Sequence, residues 1–122
     1  MYCRQLVTVI LANERLAAQH LRKRYGLSYG EYCCLQALAG ADGGQAGSEG
    51  LAGLLMLERT TVRKILLGLE DCGCVQKVVS ARDGREMACA LTQKGLVLEL
   101  QANKSVKRHL ARALLASLDE VE

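Results

Sequence analysis

The sequence predicts a mainly α-helical fold that carries one small antiparallel β-hairpin. Three observations point there. Apolar residues recur at helical spacing over most of the 122 residues. One pair of strand-like runs brackets an Asp83-Gly84 turn. No proline interrupts the long amphipathic segments.

The first helix is expected over 4–25, where Leu6, Val9, Ile10, Asn13, Leu16, Ala17, His20 and Leu21 share a stripe. Arg15, Gln19, Arg22 and Lys23 line another face, and Val7 with Leu11 forms a second apolar surface that needs a partner. Gly26 is placed to stop the helix. Ser28-Tyr29-Gly30-Glu31 reads as a capping box for a second helix running to about residue 40. That helix should bury Leu35, Leu38 and Ala39. The Gly-rich stretch 40–47 is expected to be a flexible connection.

A short helix over about 48–55 should turn Leu51, Leu54 and Leu55 inward. Met56-Leu57-Glu58 is the turn into a helix over about 59–72. There Val62, Ile65, Leu66 and Leu69 form one buried stripe, and Gly73 closes the helix. Residues 75–80 read as a strand and 81–86 as a charged tip. On the returning strand Met87, Cys89 and Leu91 should alternate inward. Thr92 caps a last helical region to about residue 118. No internal repeat or second domain is apparent.

Two helices joined by a tight turn, followed by a basic hairpin, make a winged helix-turn-helix. The second helix of such a pair fits the major groove of DNA. With Val62 in the buried stripe, Thr60, Thr61, Arg63 and Lys64 project away from the core, beside Arg59 at the helix start. Hydroxyls suit phosphates, arginine grips guanine bidentately, and a helix N-terminus attracts phosphate. Arg82 and Arg85 on the hairpin tip can enter a minor groove, with Asp83 shaping the turn or orienting Arg85.

The stretches Leu57-Glu58-Arg59-Thr60-Thr61-Val62-Arg63-Lys64 and Leu69-Glu70-Asp71-Cys72-Gly73-Cys74-Val75 resemble the recognition helix of the MarR family and its exit. Asp83-Gly84-Arg85 followed by Leu91-Thr92-Gln93-Lys94-Gly95 resembles that family's D-x-R and LTxKG elements. The resemblance runs from about residue 4 to 118. It implies a transcriptional regulator, repressor or activator, that binds double-stranded DNA as a homodimer on a pseudo-palindromic operator. In that scheme about 1–27 and 92–122 are dimerisation helices, and about 28–91 is the DNA-binding lobe. Leu96, Leu100, Leu110, Leu114 and Leu118 would join the dimer interface. A small lipophilic or phenolic effector is implied too, in a crevice that His20, Tyr25, Tyr29 and Tyr32 are expected to line. Glu58 stands where the family has Asp at the helix cap, and Glu caps poorly. Leu67 and Gly68 replace polar residues of the family's pattern. The last helix is shorter than the family's, which bears on dimer stability.

Two alternatives stay open. Some MarR relatives sense oxidants through a cysteine near the start of the first helix, which Cys3 approaches, so a thiol-based redox sensor is one. A winged-helix protein-interaction module without DNA binding is the other. The six cysteines stand at 3, 33, 34, 72, 74 and 89. Without a CxxC pair, and with only two histidines, they match no zinc framework, and no metal or other cofactor is expected. Cys34 and Cys89 fall at apolar positions, Cys74 substitutes for an apolar residue, and Cys72 falls at an exposed one. No HExxH, GxSxG or phosphate-cradling glycine loop suggests an enzyme. Net charge is +3, from 16 basic and 13 acidic residues, so the placement of charge matters more than its sum. The chain has no signal-peptide pattern and no apolar run of spanning length, and a cytoplasmic protein is expected.

Overall fold

In a computed structural model of the chain, residues 2–79 and 87–121 are described, with backbone alone at 2–7, 9 and 117–121. The elements run α1 Tyr2–Tyr25, α2 Tyr29–Ala39, a 3-10 turn Asp42–Gly44, β1 Gln45–Ala46, α3 Ser48–Leu55, α4 Arg59–Asp71, β2 Val75–Val79, β3 Met87–Leu91 and α5 Gln93–Val121. The chain is mostly helical with a small antiparallel sheet, which is the winged-helix arrangement. Two compact units divide it, one of residues 1–29 and 102–122, the other of 30–101.

In the first unit, Ala17 and Leu21 of α1, Leu27, and Ala102 and Val106 of α5 are buried. Gly26, at φ +67°, ends α1. Its N–H donates to the Arg22 carbonyl at 3.0 Å, the left-handed stop that glycine favours. Ile10, Leu11 and Leu16 of α1 and Leu114 and Leu115 of α5 remain exposed. Ile10 and Leu16 thus stand outside the buried line of α1, which among the described residues runs through Ala17 and Leu21.

In the second unit the core is Tyr32, Cys34, Leu35, Leu38, Leu51, Val62, Leu66, Leu69, Cys74, Val75 and Ala88. Three expectations need correction. Ala39 is exposed at the last turn of α2. Leu54 is 68% exposed, since an eight-residue α3 presents only Leu51, and partly Leu55, to the core. The 40–47 connection contains a short strand, β1, which pairs with β3 through Gln45↔Ala90 and Ala46↔Cys89. The sheet order is therefore β1-β3-β2.

The inward alternation expected on β3 also fails at its start. Ala88 is buried and Met87 is exposed, with Cys89 and Leu91 half-buried. Met87 pairs with Val79 at the far end of the hairpin, where both are exposed. Val75 pairs with Leu91 at the near end, where Val75 is buried. Strand alternation produces burial only where a core lies beneath the strand.

α4 ends in a Schellman motif around Gly73, at φ +78°. The Cys74 N–H donates to the Leu69 carbonyl at 2.8 Å, and the Gly73 N–H to Glu70 at 3.0 Å. The start of α5 is built against this turn. Thr92 Oγ1 donates to the Gly73 carbonyl at 2.5 Å and accepts from the Gly95 N–H at 3.1 Å. Lys94 Nζ donates to the Cys72 carbonyl at 2.6 Å, and the Thr92 N–H to the Cys74 carbonyl at 3.0 Å. Thr92, Lys94 and Gly95 together tie the first turn of α5 to the last turn of α4. Thr92 is the helix cap that the sequence indicates.

Candidate nucleic-acid interface

α3 and α4 meet through Met56, Leu57 and Glu58. Met56 adopts a left-handed conformation at φ 57°, unusual for a residue with a β-carbon, and is 91% exposed. Its N–H donates to the Ala52 carbonyl and so closes α3. Glu58 then sits at the N-cap of α4 in extended backbone, and its side chain makes no capping hydrogen bond. This matches the poor capping expected of Glu. The first amides of α4 are therefore not taken by the cap side chain.

Val62, Leu66 and Leu69 bury one side of α4, and Ile65 packs toward Gly30 of α2. A β-carbon at Gly30 would stand 3.0 Å from Ile65 Cδ1, so α2 and α4 approach closely there. With that side fixed, Thr60, Thr61, Arg63 and Lys64 are all exposed. Helical geometry sets this: residues flanking a buried position by one or two cannot share its face.

Arg59 behaves differently. Its guanidinium is ion-paired to Glu49 of α3 at 3.1 Å, with both side chains largely open to solvent. Leu67, which the sequence places on the outer turn, is 53% exposed. Arg63, Leu67 and Glu70 of α4 edge an open groove of about 290 Å³ with Ser48 of α3, Lys77 of β2 and Cys89 of β3. Lys77 was not singled out in the sequence. Its signal was present as a polar position in a strand leading to the basic tip, and the structure sets it near Arg63. Arg82, Asp83 and Arg85 lie outside the described residues, as does the side chain of Cys3.

The residues expected around an effector are drawn from both units. Tyr32 is a core residue of the second unit, and Tyr29 is exposed. His20 and Tyr25 meet edge to face in the first unit, with ring centroids 6.5 Å apart. His20 also stacks on His109 of α5 at 4.6 Å, and its Nε2 lies 2.6 Å from Ser105 Oγ. Partial burial, then the nearby His109 and Arg24 charges, hold His20 below its ordinary value. A hydrogen bond with Ser105 is the main influence lowering the Tyr25 phenol; partial burial opposes it, and Arg24 and Arg108 add to it. Ser105 and His109 were invisible as partners in the sequence because they lie 85 and 89 positions from His20.

No family model and no curated protein matches the sequence, so the likeness to known proteins rests on solved structures. The apo form of wild-type MarR from E. coli aligns over 99% of this chain and 89% of its own, with a TM-score of 0.83 at 21% identity. The fold is that of the MarR-family transcriptional regulators. MepR, a transcription regulator of the Staphylococcus aureus multidrug efflux pump MepA, aligns over 95% of this chain and 83% of its own, with a TM-score of 0.82 at 18% identity. The Mycobacterium tuberculosis MarR family protein Rv2887, solved in complex with p-aminosalicylic acid, reaches 27% identity. It covers 91% of this chain and 81% of its own at a TM-score of 0.71. Among the described residues no helix is long and apolar enough to cross a membrane.

Proposed function

We propose that this chain is a transcriptional regulator that binds double-stranded DNA as a homodimer on a pseudo-palindromic site. The observation that carries the reading is the exposed set Thr60, Thr61, Arg63 and Lys64 around the buried Val62, on the second helix of a helix-turn-helix. This helix lies in a major groove, with its first turns against base edges and phosphates. Arg59 adds a phosphate contact once it leaves Glu49. The reading assigns Arg82 and Arg85, with the Asp83 expected from the sequence to shape the turn between them, to contacts in the adjacent minor groove.

The exposed Ile10, Leu11, Leu16, Leu114 and Leu115 support a second copy as the partner that covers the first unit. Residues 1–27 and 92–122 then serve dimerisation, and 28–91 reads DNA. The complex of the M. tuberculosis neighbour with p-aminosalicylic acid favours a small phenolic effector here as well. His20 and Tyr25 are the polar groups such a molecule would meet. A regulator of this kind works in the cytoplasm.

Selection of bound genomic fragments in vitro tests the reading. The expected result is two related half-sites whose centres lie about 10 base pairs, or a multiple of one helical turn, apart. Recovery of no common sequence, or of a single unpaired half-site, contradicts it.

A further inference from the structure

Cys72 and Cys74 flank Gly73 where α4 gives way to β2, and their thiols have different surroundings. Cys72 is exposed, and its S–H reaches the Gly68 carbonyl at 3.1 Å. Cys74 is 2% exposed, and Cys72 lies close enough to bear on its thiol. The same two residues anchor the junction of α4 and α5. The Cys74 N–H closes α4 on Leu69, its carbonyl accepts the Thr92 N–H, and the Cys72 carbonyl accepts Lys94. Among the described residues no group of three or more His, Cys, Asp or Glu is placed to hold a metal ion, so the pair lacks the further donors of a thiolate metal site.

We propose that Cys72 and Cys74 are an oxidisable dithiol, closed to an intramolecular disulfide by a low-molecular-weight disulfide such as oxidised glutathione, and that closure loosens the α4–α5 junction. Cys72, the accessible thiol, loses its proton to solvent and attacks one sulfur of the oxidant. A mixed disulfide forms, and one glutathione leaves as thiolate and takes up a proton. Cys74 then loses its proton and attacks the Cys72 sulfur. The second glutathione leaves in the same way. One external disulfide is reduced to two thiols, and two protein thiols are oxidised to one disulfide.

Gly73 makes the small ring feasible, because its backbone already turns left-handed without a side-chain clash. The bridge must draw Cys72 Sγ off the Gly68 carbonyl and Cys74 Sγ out of its buried position. Both movements act on the residues that hold the Thr92 amide and the Lys94 ammonium. Burial and the adjacent Cys72 hold the Cys74 thiol above its ordinary value. Lys94 of α5 opposes that, and Glu31 of α2 adds to it. The second step therefore quickens as pH rises.

The test uses the full reduced chain, oxidised glutathione, a maleimide quench and trypsin. Cleavage after Lys64 and Lys77 gives a peptide, 65–77, that contains these two cysteines and no other. The expected peptide is unalkylated and two hydrogens lighter than its reduced form; in C74A it carries one glutathione on Cys72 instead. A wild-type peptide that stays doubly alkylated, or a glutathione adduct that never resolves, overturns the proposal. Amide exchange at Thr92 and Leu96 should quicken on oxidation, and unchanged exchange overturns the loosening. Loss of duplex affinity on oxidation rests on the DNA-binding reading. If the reduced protein binds no duplex, that reading fails while the peptide and exchange results still decide the dithiol.

Discussion

Gly95 lies so close to Cys74 that a β-carbon built on it would overlap the Cys74 carbonyl oxygen and stand 2.8 Å from the carbonyl carbon. The glycine of the Leu91-Thr92-Gln93-Lys94-Gly95 stretch is thus required by contact with a backbone that cannot move freely. That backbone is held at both ends, by the Leu69 carbonyl and by the Thr92 amide. G95A should destabilise the fold by about 3 kcal/mol, the upper range for overpacking, even though alanine favours helix. Denaturant unfolding of the variant against wild type checks this. A change below about 1 kcal/mol would mean that the α4–α5 junction is looser than described.

Glu58 leaves the N-cap of α4 without a side-chain hydrogen bond. E58S, whose hydroxyl can reach an open amide, should stabilise the protein by about 0.5–1 kcal/mol. The midpoint of thermal unfolding should rise by a few degrees. An unchanged or lowered midpoint would show that Glu58 is held by something other than its capping position.

His20 makes the first unit sensitive to acid. Its folded value is lowered from 6.5, chiefly by burial and then by His109 and Arg24, while the unfolded chain protonates near 6.5. Below that pH the unfolded state binds the proton more readily than the folded state. Stability is therefore full above pH 6.5 and falls as pH drops through the lowered folded value. Tyr25, Ser105 and Arg108, which share the cluster, carry no negative charge there to offset the proton. H20Q should flatten this acid limb in unfolding curves taken from pH 7.5 to 5. Identical limbs for variant and wild type would remove His20 as the cause.

The Arg59–Glu49 pair is exposed and contributes little to stability. E49Q should change unfolding free energy by less than about 1 kcal/mol. By freeing Arg59 and removing a negative charge near the exposed face of α4, it should tighten the proposed duplex binding, as read by fluorescence anisotropy. Weaker binding in E49Q would show that the ion pair positions α4 rather than competing with phosphate.

The helical elements were legible because their signals are local. Val62, Leu66 and Leu69 announce α4, Gly26 and Gly73 mark helix ends, and Thr92 marks a helix start. β1 was not legible: Gln45 and Ala46 have no strand pattern of their own and become a strand only by pairing with β3. Met87 looked more apolar than Ala88, yet its position is decided by the end of the core beneath the hairpin. At the candidate site, the exposure of Thr60, Thr61, Arg63 and Lys64 followed from the helical period. The engagement of Arg59 by Glu49, the approach of Lys77 to the α4 groove and the His20–His109 stack depend on tertiary contacts that spacing does not encode.

The central claim is that the outward side of α4 holds DNA. Duplex affinity, measured with a selected operator fragment between about 50 and 200 mM salt, tests it most directly. Wild type should lose affinity steeply and linearly on logarithmic axes, by about 10³-fold if six or more phosphates are engaged. R63A should bind about 1–3 kcal/mol more weakly, with unfolding stability unchanged. K64A should bind more weakly across all sequences, with a salt slope reduced by about 1. Binding that ignores salt, or that is untouched in both variants, would contradict the account.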